Sequence, residues 1–189
     1  MQAIAVLRAE HDAVLVVLTE LERAATAAEQ GAFVPRSIFT DIQEFFTVFV
    51  DHCHHGKEEA ELFSRMGEGA HAVVVQALAL EHDTGRQRAA AYAAAVHSYV
   101  PGDRISGAQV ARAARAYADL LRVHIEHETR DLFPAIAETL AAEDDQLVTA
   151  FERIEDEQIG AGTHERLHAM IDTLPGRISP WVRTPVLAD

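Results

Sequence analysis

From Ala3 to about Gln30 the apolar positions Ile4, Leu7, Val14, Leu18, Leu21 and Ala25 follow steps of three and four, and His11 stands in the same seam. That period marks an amphipathic helix, and Gly31 supplies its stop. On a wheel of about 100° per residue, His11 falls about 20° from the centre of the apolar face. A second helix is predicted from Pro35, which suits a first turn, to about Glu68; it carries Phe39, Ile42, Phe46, Phe49 and Val50 and is ended by Gly67 and Gly69. A third runs from near His71 through Val75, Leu78, His82, Ala89 and Val96 to Pro101-Gly102. Asp103 or Ser106 caps a fourth, whose inner face takes Val110, Ala114, Tyr117, Leu121, His124, Glu128 and Leu132, with Pro134 predicting a kink or stop. No strand-like alternation competes. Long helices joined by short Gly/Pro loops predict an all-α, up-down-up-down four-helix bundle over residues 1–140.

Residues 141–189 follow a different pattern. Phe151 and Ile154 predict a short helix, Gly160-Ala161-Gly162 breaks it, and Thr163 caps another that carries Leu167, Met170, Ile171 and Leu174. These short C-terminal helices are expected to lie on the bundle, and the stretch with Pro175, Pro180 and Pro185 reads as irregular.

The bundle contains a repeat. His54-His55-Gly56-Lys57-Glu58-Glu59-Ala60-Glu61-Leu62-Phe63 matches His124-Ile125-Glu126-His127-Glu128-Thr129-Arg130-Asp131-Leu132-Phe133 as His-x-x-x-Glu-x-x-x-Leu-Phe. Upstream of each copy stands a Glu-His-Asp element, Glu10-His11-Asp12 and Glu81-His82-Asp83, at spacings that agree within one residue. Helices one and two therefore read as a duplicate of helices three and four. A His and a Glu four apart lie one turn from each other on one helix face and can serve the same metal. With a pseudo-two-fold axis the halves would bring together His11, His54, His82 and His124 with Glu58 and Glu128. Bundle cores do build di-metal sites from inward His and carboxylates. Burying that set without a metal would strand several polar groups.

The choice among neighbouring His rests on register, because His54 and His124 each stand eight residues before a Leu-Phe pair. Phase places His124 about 50° and Glu128 about 10° from the centre of their apolar face and turns His127 outward. In the second helix the apolar face centres near Cys53, with His54 about 100° away and His55 nearly opposite. Phase assigns His55 to the surface and register assigns Glu59 there with it; phase alone does not separate His54 from His52, and Cys53 is the competing ligand. Glu10, Glu81, Asp12 and Asp83 flank the predicted ligands and read by default as solvated charge. Gly85, Thr47 and Tyr117 are candidates for a pocket beside the site. His164 and His168 have ligand-like spacing in the tail.

Composition narrows the function. At 189 residues the chain suits one well-buried domain. A net charge of −14 would repel phosphates and argues against nucleic-acid or anionic-membrane partners. The single Cys53 excludes an internal disulfide framework and fits a reducing compartment. With no signal-peptide pattern and no run of about 18 apolar residues, a cytoplasmic location is expected.

These motifs resemble the hemerythrin-like, or His-His-Glu cation-binding, family over residues 1 to about 140. The resemblance implies a non-haem di-iron centre, with His11, His54, His82 and His124 as terminal ligands and Glu58 and Glu128 bridging. Manganese or zinc is the lesser expectation, since mixed imidazole and carboxylate donors suit iron or manganese better than a closed thiolate zinc site. The oxygen-carrying members look to have a fifth His one turn along the third helix. Here Arg86 and Leu78 stand at the two positions one turn from His82. The balanced set instead resembles bacterial members linked to nitric-oxide stress, iron-centre repair and peroxide handling. Six ligands leave open positions on two irons, so the expected partner is O₂, NO or peroxide. Whether the centre turns a substrate over, serves as a reversible O₂ or iron sensor or store, or is a purely structural metal site is left open by the sequence.

Overall fold

A computed structural model of the chain describes residues 1–158, 160 and 162–182. Six helices account for it: α1 (Gln2–Glu29), α2 (residues 36–66), α3 (Ala72–Ser98), α4 (residues 104–139), α5 (Asp144–Gln158) and α6 (Thr163–Ile178). The described residues contain no strand, and none of their helices is long and apolar enough to cross a membrane. The architecture is the all-α bundle expected, with α5 and α6 laid along it.

Local chemistry sets the helix ends. Gly31 adopts φ 87° past the end of α1, its N–H bonding Ala28 O at 2.9 Å while Ala32 N–H reaches Ala27 O at 3.0 Å. This pairing of a left-handed Gly with two back-bonds satisfies the last carbonyls of the helix. Asp103 caps α4, its carboxylate accepting from Ser106 N–H at 2.8 Å. Thr163 opens α6 as its first helical residue but makes no side-chain cap; Gly162, at φ 82°, holds the cap position. Pro175 lies inside α6 and Pro180 in a 3₁₀ turn, Ser179–Trp181, so that stretch is helical where irregular chain was expected. Pro185 lies outside the described residues.

α2 and α4 are not uniform. Residues Phe46–His55 and Glu58–Phe63 of α2 and Glu128–Leu132 of α4 are π-helical, with the wider i→i+5 turn. In α4 the wide turn comes just before Pro134, and the helix continues to Thr139 instead of stopping. A proline needs a missing N–H partner and room at the carbonyl four residues back. The loosened turn provides both.

The interior is layered along the bundle axis. One apolar cluster joins Val14, Leu18, Phe39, Phe45, Phe46, Tyr92, Tyr117 and Leu121 to Leu167, Ile171, Leu174 and Ile178 of α6. A second joins Leu7, Leu62, Phe63, Leu78, Leu132, Phe133 and Ile136 to Leu147 and Phe151 of α5. Between them lies a polar layer of His and Glu. The helices do not pair equally: α1 packs extensively on α4 and α3 on α4, whereas α1 and α2 touch little directly and α5 and α6 lie against both.

Candidate metal centre

The polar layer is where the predicted residues meet. His11, His54, Glu58, His82, His124 and Glu128 are all buried. Ligand atoms of His11, His54, Glu58 and Glu128 lie within 4.8 Å of one another, and so do those of Glu58, His82, His124 and Glu128. The two quartets share both carboxylates. Glu128 faces each way, with Oε2 2.9 Å from His11 Nε2 and Oε1 3.1 Å from His124 Nε2. Glu58 Oε2 stands 3.4 Å from His82 Nε2 and 3.8 Å from His54 Nε2.

The far side of each ring fixes what the near side can do. Nδ1 of His54 donates to Glu10 at 2.8 Å, Nδ1 of His82 to Glu59 at 2.8 Å, and Nδ1 of His124 to Glu81 at 2.9 Å. A carboxylate can only accept, so each Nδ1 carries a proton and Nε2 is the nitrogen that faces the cluster, able to offer its lone pair to a metal that displaces any proton there. Phe63 stacks on His82 with centroids 5.2 Å apart, and Phe133 stacks on His11 at 5.4 Å. The Phe of each His-x-x-x-Glu-x-x-x-Leu-Phe copy thus closes over the His of the other half's first helix.

Two fully buried carboxylates demand positive charge. Burial would push His82 down, yet the carboxylates of Glu128, Glu58 and Glu59 hold it up to about 11. His124 is likewise raised to about 9 against burial, mainly by Glu128. Glu128 is held well below the usual carboxylate range, its burial outweighed by His124 and the other imidazoles. Both oxygens of Glu58 and of Glu128, with Nε2 of His82 and His124, nevertheless have no hydrogen-bond partner. Ionised groups in such a place cost several kcal/mol each unless paired. A metal cation held among them would satisfy these groups, and the donor set fits one.

Two surface assignments are corrected. His55 is buried at 3 % exposure, not on the surface, and its ring stacks on His82 with centroids 3.9 Å apart. Burial first, and then the neighbouring imidazoles, push it down to about 3, against the opposing pull of Asp51. Glu59 is partly exposed but orients His82 and is itself tied to Arg86. Hydrogen bonding to His82, together with Arg86, outweighs burial and lowers it to about 2. His127 lies outside the cluster and a third exposed, as expected, and its Nδ1 donates to Glu81 at 2.7 Å. On α2 the wheel failed because the π turns advance each residue by less than 100°, and because α5 buries the Cys53 side of α2, so the apolar positions do not mark the side of the site.

Other residues escaped sequence reasoning or only half entered it. Glu10 and Glu81 orient the His of the following helix, and their repetition in register was the available signal. Lys57, the only Lys in the chain, is fully buried, with Nζ donating to Glu10 and to Glu155 of α5. Cys53 lies beside Glu10 and Glu155 instead of the six-residue cluster, and the Lys57 ammonium supplies the charge that this trio needs. His52 and His168 are exposed, and the side chain of His164 lies outside the described residues. Asp12 is solvated as expected, while Asp83 pairs with Arg86 at 3.0 Å. Gly85, Thr47 and Tyr117 do line a cavity of about 220 Å³ between α2 and α3, with Asp51, His55 and Arg86 among its walls.

No match was found among curated proteins or among solved structures. The hemerythrin HHE cation-binding domain model does match, over residues 2–136, which contain the whole bundle as far as Ile136 and all six clustered residues. The chain belongs to the hemerythrin HHE cation-binding domain family.

Proposed function

We propose that the cluster binds two iron ions, with His11 and His54 as terminal ligands of one, His82 and His124 of the other, and Glu58 and Glu128 bridging them. We propose further that the centre binds or reacts with O₂, NO or peroxide. The observation carrying this reading is the convergence of buried imidazole and carboxylate atoms that have no hydrogen-bond partner. Imidazole and carboxylate together favour iron or manganese over a thiolate zinc site. When bound, the iron pair supplies redox chemistry and open positions for a small ligand.

The chain's own residues prepare that centre. Glu10, Glu59 and Glu81 hold the Nδ1 protons of three ligands and set their rings. Phe63 and Phe133 wall the layer from one end and keep water from the ligand atoms. The cavity beside His55 is wide enough for a diatomic molecule or peroxide, and Asp51 and Arg86 place paired charges in its wall.

Metal analysis of protein made without supplementation, followed by rapid mixing of the reduced form with O₂, NO and peroxide, tests this. Two irons per chain and a spectral change with at least one ligand are expected; one zinc and no iron would end the di-iron reading. Glu58→Ala and Glu128→Ala should each lose bound metal.

A sensing role has one observation of its own. Glu155 of α5 is linked through Lys57 and Glu10 to His54, so α5 is coupled to a ligand. Reversible oxygenation without turnover, with hydrogen exchange of residues 144–158 slowed by metal, would favour it.

A further inference from the structure

We infer that the cavity between α2 and α3 is a binding site for a small uncharged organic molecule, about the size of a benzene ring, that accepts a hydrogen bond from Tyr117. This goes beyond the di-iron reading and needs only the cavity. Its volume of about 220 Å³ exceeds the roughly 150 Å³ that holds benzene in a protein core. It is larger than a diatomic molecule or peroxide requires. Phe46, Tyr92, Ala89 and Ala93 give it a mostly apolar wall. Small-molecule sites have that make-up, with a few polar groups set among apolar ones.

The three tyrosines, all buried, show which polar group is set apart. Tyr92 donates its hydroxyl proton to Phe39 O at 3.0 Å, and Tyr99 donates to Val34 O at 3.0 Å. A buried phenol normally finds such a partner. Tyr117 is 2 % exposed and lines the cavity, yet its hydroxyl bonds no other residue among those described. Burial, with Asp51 adding to it, raises this phenol well above its ordinary range, so it stays a neutral donor at pH 7. Phe46 packs edge-on against its ring, with centroids 4.6 Å apart. A ligand's acceptor is the group that this donor lacks.

Charge sets the class of ligand. Arg86 is the one guanidinium in the wall, and Asp51, Glu59 and Asp83 already share it. An entering anion would have to displace one of them against a local excess of negative charge. An organic ammonium brings no acceptor for Tyr117. His55, which also lines the cavity, stacks on His82 with centroids 3.9 Å apart. A molecule seated against His55 therefore lies one ring away from the clustered residues.

Ligand-observed NMR titration of the full chain with phenol, benzene and benzoate tests this. Phenol should bind one site saturably, benzene should bind more weakly, and benzoate should not displace phenol. Tyr117→Phe keeps the ring and removes only the unpaired hydroxyl; it should weaken phenol by roughly two- to tenfold and leave benzene unchanged. Ala93→Leu fills the cavity and should abolish both; should it fold poorly, the Tyr117→Phe response decides. No phenol binding, displacement by benzoate, or an unchanged phenol affinity in Tyr117→Phe overturns the inference. Iron content and reactivity with O₂, NO and peroxide are separate readouts, and the di-iron reading fails on those alone.

Discussion

Cys53 and Val123 stand at equivalent places in the two halves, each one residue before a clustered His; Cys53 is fully buried and Val123 is 49 % exposed. The same contrast holds along that face. Lys57 is buried against Glu155, while its equivalent His127 is half-exposed; Gly56 lies under Ile154, while its equivalent Glu126 is solvated. In both halves the residue at this place binds the Glu that orients the clustered His: Lys57 binds Glu10, and His127 binds Glu81. Duplication supplied the ligands and their orienting carboxylates. What differs is the cover, since α5 and α6 fill the space between α1 and α2 and nothing equivalent lies over α3 and α4 among the described residues. A near-symmetric site thus has one dry flank, and a cavity opens on another side, between α2 and α3.

Thiol labelling probes the cover most strongly. Burial pushes the Cys53 thiol up to about 12, with Lys57 opposing and the Glu10 and Glu155 carboxylates adding to it. At pH 8 the thiolate is then scarcer by roughly a thousandfold than for an ordinary Cys of pKa about 8.5. A disulfide reagent should leave native Cys53 untouched at pH 8, whereas Cys introduced as Val123→Cys in a Cys53→Ala background should label within minutes. Equal rates would mean that α5 does not cover the first half in solution.

Lys57 gives the next effect. Removing one partner of a buried ion pair leaves the other uncompensated, at a cost of about 3–5 kcal/mol. Lys57→Met should lower unfolding stability by that order, and Lys57→Met with Glu10→Gln should recover part of it. His127→Ala, at the half-exposed equivalent, should change stability by less than about 1 kcal/mol. Comparable losses would make the asymmetry of cover irrelevant to energetics.

Acid titration separates the two orienting carboxylates. Burial would raise Glu10, but His54 and Lys57 outweigh it and hold it at about 2, against an ordinary 4.5. A carboxylate bound more weakly to protons in the folded state stabilises the fold above its unfolded value and loses that contribution as pH falls. The Glu10 contribution is complete above pH 4.5 and disappears towards pH 2, on the order of 3 kcal/mol in all. Glu81 is also lowered, by His124 and His127, but is far less buried. Acid unfolding of Glu10→Gln should consequently lack the Glu10 share of the wild-type slope between pH 4.5 and 2, leaving the shares of Glu59 and Glu128, and Glu81→Gln should lose less of it.

The bundle, its helix limits and the convergence of the six residues were legible because each rests on a period or a repeat. His11 and Glu128 declared themselves by lying in apolar seams, and register chose His54 where phase did not. His55 was illegible for a geometric reason: an α-helical wheel cannot be carried through ten π-helical residues, Phe46–His55. Lys57 was illegible because its partner Glu155 lies 98 residues away on a helix whose placement no local pattern encodes. Glu10 and Glu81 could have been read, since a solvated acid has no reason to recur in register before both His.

The smallest effect tests why α1 prefers α4 to α2. A Cβ at Gly107 would lie 2.3 Å from Ala28 O, so the start of α4 sits directly against the backbone of α1. Its equivalent in the first half is Ser37, an exposed residue on α2. Gly107→Ala must push the two helices apart and should destabilise by about 1–3 kcal/mol, less any gain in helix propensity of up to about 1 kcal/mol. Ser37→Ala should stay within about 0.5 kcal/mol of wild type. Chemical denaturation of both variants decides it. If Gly107→Ala is neutral, the α1–α4 contact yields readily, and the close approach is a consequence of the fold and not one of its constraints.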